Sequence, residues 1–293
     1  MANLSDHRNA ALNYRHAFHA GSFADVVKHA LLVRLALYLQ RKDKPFRVFD
    51  THAGIGLYDL AGDEAVRGGE HREGIERLLA SPAADTPLLA DYVGLVRQIR
   101  SDHGASAYPG SPLLLRRLLR RQDRLSAYEL HPRDAETLAS LFRGDIQVKT
   151  FHLDGWLALG AHLPPKERRG LVLIDPPFEQ ADEIERAVAG LAKAYRRWPG
   201  GTYALWYPIK RRTERERLHA LLRETGIANI LAAEFQREPF GDEIRMTGSG
   251  LVVVNPPYTF SQEAGEIIQV LGSVLGRTSA ADGRIVAIAA EQP

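Results

Sequence analysis

A buried strand with an abrupt, rigid end is predicted at residues 171–178. The apolar run Leu-Val-Leu-Ile at 171–174 is typical of a strand inside a parallel sheet. Asp-Pro-Pro-Phe follows at 175–178, and its prolines lack the backbone N–H that a helix or a sheet ladder needs. Strand pairing must therefore stop at Asp175. This places a carboxylate at the carboxyl end of a parallel strand, the edge where open α/β sheets bind ligands.

The Asp-Pro-Pro-Phe turn carries a defined set of hydrogen-bond acceptors. The Pro176 carbonyl is left free beside the Asp175 carboxylate, and Phe178 offers an aromatic face next to both. Two fixed acceptors suit the two N–H groups of an exocyclic amine on a flat base, and an aromatic ring suits the face of that base. The pattern points to methyl transfer to an adenine N6, although Asp-Pro-Pro after a strand is often only a turn.

A second stretch, Asn-Pro-Pro-Tyr at 255–258, fits the same pattern and also follows an apolar run. Position decides between the two. Asp175 ends the fourth predicted strand of the sheet, whereas Asn255 ends what is expected to be the last strand, in a terminal hairpin. We therefore expect Asp175, and not Asn255, to be the acceptor.

Composition excludes several classes of protein. The 293 residues are 45% hydrophobic and 25% charged, which is an ordinary globular composition. Because cysteine is absent, disulfides, thiolate metal sites and a thiol nucleophile are excluded. No apolar stretch is long enough to span a membrane, and the N-terminus lacks a signal-peptide core. We expect a cytoplasmic enzyme with no membrane partner.

Positive charge is clustered although the formal net charge is only +2. Arginines crowd residues 116–124, lysine and arginines crowd 210–217, and His16, His19, Lys28 and His29 form a third group. Such clusters can lie along phosphates. Solvated helix faces explain the first two clusters equally well.

Hydrophobic periodicity divides the chain into alternating strands and helices. A helix capped by Ser22 is predicted over 23–42, and a first strand over 46–50. Residues 57–108 then break the alternation with two helical patterns and no convincing strand, and are predicted to be an inserted helical subdomain. Later strands are predicted at 125–130, 146–152, 171–174, 202–207, 230–236 and 250–254.

This alternation predicts an α/β fold with a doubly wound, mostly parallel sheet. The last two predicted strands have no helical pattern between them and are expected to form a terminal antiparallel hairpin. Thr213 and Glu216 are expected to make a capping box for the helix that follows the fifth strand. We predict one domain over residues 1–293, with 57–108 as its insertion.

Acidic residues and a glycine turn mark the predicted strand ends. Asp50 ends the first strand and leads into Gly54 and Gly56, where the backbone can approach a nucleotide-like ligand. The third glycine of the dinucleotide fingerprint is missing, which disfavours NAD. Glu129 ends the second strand, where an acid can bind a ribose diol, and Asp154 follows the third, where it can accept from an adenine amine. Together these residues predict a site for S-adenosylmethionine (SAM).

The chain resembles a known family in several separated motifs. These are Tyr-Arg-His-Ala-Phe-His-Ala-Gly at 14–21, Ala-Asp-Val-Val-Lys-His at 24–29, Asp-Thr-His-Ala-Gly at 50–54, Tyr-Pro-Gly-Ser-Pro at 108–112, Glu-Leu-His-Pro at 129–132, Leu-Ile-Asp-Pro-Pro at 173–177 and Tyr-Ala-Leu-Trp-Tyr-Pro at 203–208. They are similar to the signature of RlmJ, the bacterial 23S ribosomal RNA adenine-N6 methyltransferases, over roughly residues 12–258. The resemblance implies a Rossmann-like class I SAM-dependent methyltransferase with a small inserted helical subdomain.

The resemblance also implies roles for particular residues. Asp175 would accept the target amine, and Tyr14 would contact the RNA. We expect His16, in the same motif, and Phe178 to contact the RNA as well. Cofactor contacts are implied at Lys28, His29, His52, Ser111, Glu129, Asp154, Gly155 and Asp175. The family usually has tyrosine where this chain has Phe178, which preserves stacking but removes a hydroxyl. Residues 1–11 precede the family's usual start.

Three further expectations concern partners and alternatives. The implied partner is 23S ribosomal RNA, protein-free or in an early assembly intermediate, bound by a monomer without a metal. His16 and His19 have helical spacing for a metal but lack a third ligand. A DNA adenine-N6 methyltransferase and a non-catalytic RNA-binding protein are the competing interpretations.

Overall fold

The structure is a computed structural model that describes residues 15–291. Its first long helix, α1, spans Phe23–Gln40, and Ser22 caps it by accepting a hydrogen bond from the Asp25 backbone N–H at 3.3 Å. The predicted helix is therefore confirmed. Most of α1 is buried, including Asp25, Lys28 and His29. Since buried polar groups need partners, these side chains must find theirs inside the protein.

The other elements follow in chain order. The strands are β1 (Arg47–Asp50), β2 (Leu57–Asp59), β3 (Ala107–Pro109), β4 (Arg124–Glu129), β5 (Val148–His152), β6 (Gly170–Ile174), β7 (Thr202–Ile209), β8 (Ile230–Gln236), β9 (Gly248–Val254) and β10 (Asp282–Ala289). The helices are α2 (Asp63–Gly68), α3 (Ile75–Leu79), α4 (Pro87–His103), α5 (Ser111–Leu118), α6 (Pro132–Leu141), α7 (Gly155–Ala161), α8 (Glu183–Arg197), α9 (Arg212–Glu224) and α10 (Phe260–Leu275). The predicted strands are confirmed to within two residues at each end.

The main sheet has eight strands in the order β10-β8-β9-β7-β6-β1-β4-β5. Strands β5, β4, β1, β6 and β7 are parallel, while β9, β8 and β10 pair antiparallel with their neighbours. The carboxyl ends of β1, β4, β5 and β6 consequently meet at one edge. This is the doubly wound, mostly parallel sheet that the sequence predicted.

Both faces of the sheet are covered, as the alternation along β6 shows. Leu171 and Leu173 pack in one apolar cluster with α1, α5 and α10. Val172 and Ile174 pack in a second cluster with α7, α8 and α9. Because successive side chains of a strand point to opposite faces, one apolar run serves both layers.

The insertion at 57–108 contains strands, contrary to the prediction. Strands β2 and β3 pair antiparallel at its two ends, with Leu57 opposite Pro109. Each has only three residues, which is too short for alternation to be visible in the sequence. Glu73 joins the insertion to the far end of the sheet, because it pairs with Arg237 at 2.9 Å and Arg277 at 2.6 Å.

The C-terminal region also differs from the prediction. Strands β8 and β9 do form an antiparallel pair, but helix α10 and strand β10 follow them, and β10 pairs with β8. Helix α10 buries Ile267, Ile268 and Leu271. Two glycines inside α10 weaken its local helix signal, which explains why the pattern was missed.

The capping box predicted at Thr213 and Glu216 was wrong. Helix α9 already begins at Arg212, and its N-cap residue is Arg211, which makes no side-chain capping bond. Thr213 therefore lies inside the first turn. Separately, no helix within residues 15–291 combines the length and the apolar character needed to cross a bilayer.

Candidate active site

A cavity of about 760 Å³ opens at the edge where β1, β4, β5 and β6 end. The sequence-predicted site residues within the described range all line it. They are His16, Lys28, His29, His52, Gly54, Ser111, Glu129, Asp154, Gly155, Asp175, Pro176 and Phe178. Tyr14, the other predicted RNA contact, lies outside the described residues.

Asp175 is held by a buried lysine from α1. Lys28 Nζ donates to Asp175 Oδ2 at 2.6 Å and lies 2.9 Å from Asp25 Oδ1. Burial acts to lower the pKa of Lys28, but the Asp175 and Asp25 carboxylates outweigh it and raise the pKa above its usual range. Lys28 is therefore a permanent cation between two carboxylates, and it occupies one oxygen of Asp175.

Asp25 is a member of this group that the sequence analysis missed. Its Oδ2 lies 3.0 Å from His16 Nε2 and accepts the Gly21 backbone N–H at 3.0 Å. Burial acts to raise the pKa of Asp25, but His16 and Lys28 hold it well below its usual range. The only sequence signal was the spacing of Asp25 and Lys28, three residues apart on one helix face.

The turn after Asp175 presents the expected carbonyl and aromatic ring. Within residues 15–291, no donor is bonded to the Pro176 carbonyl. Phe178 adopts a left-handed φ of 51°, which is uncommon for a residue with a side chain. Its ring meets Trp206 edge-on at 5.8 Å between centroids, and Lys210 Nζ donates to its carbonyl at 3.4 Å. Trp206 also lies 5.7 Å from Lys28 Nζ and was not predicted as a site residue.

The glycine turn and Glu129 form one unit. Gly54 has a φ of 60°, and a Cβ there would lie 2.3 Å from the Tyr58 hydroxyl, so only glycine fits. Glu129 Oε2 accepts the Gly54 N–H at 2.8 Å, and its Oε1 accepts the His131 N–H at 2.7 Å. Burial raises the pKa of Glu129 against these two donors. Glu129 is thereby fixed at the end of β4.

Asp154 and Gly155 begin α7 at the end of β5. Asp154 caps the helix by accepting the Trp156 N–H at 2.9 Å, and its other oxygen lies 3.4 Å from an Arg186 nitrogen. A Cβ on Gly155 would lie only 2.0 Å from the Thr51 carbonyl oxygen. Gly155 thus allows the loop after β1 to pack directly on the start of α7.

Ser111 lies over the end of β1. Its hydroxyl donates to Asp50 Oδ2 at 2.7 Å, while Asp50 Oδ1 is buried without a hydrogen-bond partner. Burial raises the pKa of Asp50 to about 7, against the hydrogen bond from Ser111. Asp50 therefore keeps one unsatisfied oxygen, Oδ1, behind the cavity-lining Ser111.

Two neutral histidines face the cavity. His52 Nδ1 lies 2.8 Å from Thr51 Oγ1, whose own proton goes to the Leu173 carbonyl at 2.9 Å, so His52 Nδ1 must be the donor. His29 Nδ1 lies 2.9 Å from the Tyr108 hydroxyl. Burial lowers the pKa of both histidines to about 3. Neither ring carries charge at neutral pH.

The second Pro-Pro motif lies at the other end of the sheet, as predicted. Strand β9 runs antiparallel to β7, so Asn255 comes out beside the start of β7. Its Nδ2 donates to the carbonyls of Pro199 and Gly201 at 2.8 and 2.7 Å. Asn255 is therefore a structural residue of a turn.

His16 and His19 are engaged by carboxylates instead of sharing a ligand. His16 contacts Asp25, while His19 Nδ1 lies 2.8 Å from Glu70 Oε1 in the insertion. Over residues 15–291, His, Asp and Glu side chains form no group of three or more that could hold a metal ion.

Sequence comparisons with known proteins identify one family. The family model described as Ribosomal RNA large subunit methyltransferase D, RlmJ, matches residues 43–286. The chain is 43% identical to ribosomal RNA large subunit methyltransferase J of Escherichia coli strain K12, over 90% of this chain and 94% of that protein. It is 42% identical to the protein of the same name from Haemophilus influenzae, with the same coverage.

A solved structure shows the same architecture. A crystal structure of a Legionella pneumophila protein superimposes with a TM-score of 0.84 at 36% identity, covering 92% of this chain and 98% of the other. Sequence motifs, sheet topology and these comparisons together show that this chain is a member of the RlmJ family of ribosomal RNA large subunit methyltransferases.

Proposed function

We propose that this protein transfers a methyl group from SAM to the N6 amino group of an extruded adenine in 23S ribosomal RNA. One observation carries the proposal. The Asp175 carboxylate and the Pro176 carbonyl lie in the same cavity as Glu129 and Asp154, at one edge of the sheet. The amine acceptors and the nucleoside-binding acids are thus close enough to serve one reaction.

The residues of the cavity fit SAM from end to end. Asp154 supplies an acceptor for the adenine amine, and Glu129 supplies one for the ribose diol. At Gly54 bare backbone faces the ligand, and the partnerless Asp50 Oδ1 lies just behind Ser111 of the cavity wall. Lys28, His29, His52 and Ser111 surround the remaining end. When bound, the cofactor supplies an electrophilic methyl group on a sulfonium.

Asp175 acts on the target amine as an acceptor more than as a base. Adenine N6 is a weak nucleophile because its lone pair is delocalised into the ring. Lys28 occupies Asp175 Oδ2 and leaves Oδ1 for one N6 hydrogen, and the Pro176 carbonyl accepts the other. Holding both hydrogens favours a pyramidal nitrogen with a localised lone pair. After transfer, the cationic amine loses a proton to Asp175 or to water.

Fixed geometry therefore provides most of the acceleration. Lys28 already donates to one oxygen of Asp175, so this arrangement suits a fixed acceptor better than a strong base. Acceptors that are held in place before the substrate arrives need no reorganisation during the reaction. Asp25, which contacts Lys28, and His16, which contacts Asp25, contribute to this preorganisation.

The aromatic side chain beside the acceptors supports a flipped base as substrate. Extruding a base costs a few kcal/mol, and stacking on an aromatic ring returns about 1–3 kcal/mol. Phe178 lines the cavity beside Asp175 and is proposed to provide this stacking, while Trp206 contacts its ring edge-on. Tyr14 and His16 are proposed to contact the RNA from the N-terminal side.

RNA is favoured over DNA as the nucleic acid. The relatives at 43% and 42% identity are named as ribosomal RNA methyltransferases. Lys210 and Arg186 line the cavity and suit nearby phosphates. A non-catalytic RNA-binding protein would have no need of the acids that end β4 and β5. We further propose that the protein acts as a cytoplasmic monomer on protein-free RNA or an early assembly intermediate.

Methylation with radiolabelled SAM tests the proposal. Unmodified 23S RNA, ribosomal subunits and adenine-rich DNA are offered in parallel, and mass spectrometry then maps the methylated nucleotide. We expect N6-methyladenine at a defined position in protein-free 23S RNA. Label in DNA alone, or on a ring nitrogen or ribose of the RNA, would refute the proposed reaction.

A further inference from the structure

Two buried tyrosines connect the insertion to the cavity. Tyr92 of α4 and Tyr108 of β3 are fully buried, and their hydroxyl oxygens lie 3.0 Å apart. The Tyr108 hydroxyl also lies 2.9 Å from His29 Nδ1, and the two rings stack at 5.8 Å with an interplanar angle of 28°. Tyr92, Tyr108 and His29 thus form a hydrogen-bonded chain that ends at the cavity wall.

The number of hydrogens in this chain is fixed. Each tyrosine has one hydroxyl hydrogen. Burial lowers the pKa of His29 to about 3, so its ring is neutral and carries one hydrogen on one nitrogen. The chain can therefore run in only two directions, and each direction specifies a different tautomer of His29.

The two directions leave different hydrogens without an acceptor among residues 15–291. If His29 Nδ1 donates to Tyr108 and Tyr108 donates to Tyr92, that hydrogen is on Tyr92, which is fully buried away from the cavity. In the opposite direction Tyr92 donates to Tyr108, Tyr108 donates to Nδ1, and the remaining hydrogen is on Nε2 of His29, which lines the cavity. An N–H at the cavity can bond to water or a ligand, whereas an unpaired donor in the core is costly, so the second direction is favoured.

The order of the strands shows which part of a ligand meets that hydrogen. Asp154 follows β5, Glu129 ends β4, and the Asp50–Gly54 turn follows β1, in adjacent positions of the sheet. With adenine at Asp154 and ribose at Glu129, the amino-acid arm of SAM extends past β1. His29 is joined to this region through Tyr108, which precedes Ser111 by three residues. The Ser111 hydrogen is committed to Asp50. Lys28 is committed to Asp175 and Asp25.

We propose that Tyr108 and Tyr92 are positioning residues, which hold His29 with its proton on Nε2 so that this N–H donates to the carboxylate of the cofactor's amino-acid arm. This inference rests on the proposed SAM site. It assigns the insertion a part in cofactor binding: the insertion sets which atom of His29 carries the proton.

Nitrogen NMR on the ligand-free, ¹⁵N-histidine-labelled protein tests the tautomer directly. His29→Gln assigns the His29 signals by their loss. We expect Nδ1 to resonate as an unprotonated nitrogen and Nε2 as a protonated one. The reverse assignment would overturn the inference even if Asp175 and the cofactor act as proposed.

Two conservative variants separate the two directions. Tyr92→Phe leaves Tyr108 free to donate to Nδ1, so we expect the His29 tautomer to stay unchanged. If instead His29 donated to Tyr108 and Tyr108 donated to Tyr92, Tyr92→Phe would remove the acceptor of the Tyr108 hydroxyl. Tyr108 would then donate to Nδ1, and the His29 proton would move to Nε2. In Tyr108→Phe the donor to Nδ1 is lost, so we expect His29 to populate both tautomers.

Calorimetry with two ligands tests the carboxylate. Tyr108→Phe should weaken SAM binding by up to about tenfold, because the ligand must select one of two His29 tautomers and a ring that Tyr108 no longer orients. It should leave 5′-methylthioadenosine, which has the nucleoside but no amino-acid arm, within about twofold. Equal weakening of both ligands would overturn the inference. If the wild-type protein bound neither ligand, the proposed function itself would fail, and the NMR result would still report the tautomer.

Discussion

Lys28 Nζ lies 2.6 Å from Asp175 Oδ2, although 147 residues separate the two in the chain. The same ammonium contacts Asp25, so one buried cation balances two carboxylates. In the proposed reaction, the target amine would meet an Asp175 that is held in place and has one oxygen already engaged. Asp175 would then serve mainly to hold the amine.

Asp175→Ala should abolish turnover while leaving SAM affinity within about tenfold of wild type. Loss of a fixed acceptor costs on the order of 10²–10³ in rate, and loss of ionic alignment adds to this. Single-turnover methylation and calorimetry measure the two quantities. Asn255→Ala is the matched control, because it truncates the other Pro-Pro motif at the far edge of the sheet. Robust methylation by the Asp175 variant would refute its role.

Lys28→Met should slow turnover and make the protein more sensitive to acid. Lys28 holds Asp175 through a hydrogen bond of 2.6 Å, and against the effect of burial His16 and Lys28 keep the pKa of Asp25 well below its usual range. Without Lys28 the pKa of Asp25 should rise, so the stability that ionised Asp25 contributes should be lost at a higher pH on acidification. Removing one partner of a buried pair also costs about 3–5 kcal/mol in stability. Single-turnover methylation and urea unfolding at several pH values measure both effects. A folded variant with wild-type turnover and an unchanged loss of stability in acid would show that Lys28 controls neither carboxylate.

Phe178→Ala should lower kcat/KM for RNA by about 5–150-fold, the range that corresponds to 1–3 kcal/mol of stacking. Phe178→Gly removes the same ring but relaxes the left-handed backbone at a φ of 51°. We expect the glycine variant to be more stable than the alanine variant yet equally impaired. Steady-state kinetics and thermal melts decide this. Normal kinetics in both variants would remove the stacking role.

Gly155→Ala should destabilise the protein by about 1–3 kcal/mol and weaken SAM binding. Its Cβ would lie 2.0 Å from the Thr51 carbonyl, so the loops after β1 and β5 must separate. Gly94→Ala in α4 is the control, since a Cβ there meets nothing within 4 Å. The control should gain about 0.5–1 kcal/mol from helix propensity. Urea unfolding measures both, and equal stabilities would show that the close contact is dispensable.

Asp50→Asn should flatten the pH dependence of stability in the ligand-free protein. The pKa of Asp50 is raised from 3.8 to about 7 by burial, so between these values the folded state keeps a proton that the unfolded state releases. Wild-type unfolding free energy should therefore fall as pH rises through this window. The variant should lose that component and be the more stable protein at pH 8. Equal slopes of unfolding free energy against pH for the two proteins would contradict the raised pKa of Asp50.

Local sequence patterns predicted which residues end the parallel strands. Because parallel strands end at the same edge of the sheet, these residues could also be predicted to lie together. Asp50, Glu129, Asp154 and Asp175 were placed at one edge from spacing alone, and the structure puts them there. Three-residue strands such as β2 and β3 have too few positions to show alternation. Helix α10 was missed although its apolar positions repeat at helical spacing, because its glycines weaken the local signal.

Side-chain partners across long sequence distances could not be predicted in the same way. The sequence resemblance implied Lys28 as a cofactor contact, but nothing in the order of residues showed its bond to Asp175. Asp25 and Trp206 likewise became visible only when α1 was packed against β6 and β7. Such contacts depend on how the helices pack against the sheet. The local pattern of one sequence does not reveal that packing.

The missing side chain at Gly155 has a mechanical consequence for the cavity. Because the start of α7 rests directly on the Thr51 carbonyl, main-chain atoms of two loops form one stretch of the cavity wall. In the proposed SAM site, the distance between these two loops would be set by the backbone, and no side-chain rotation could change it.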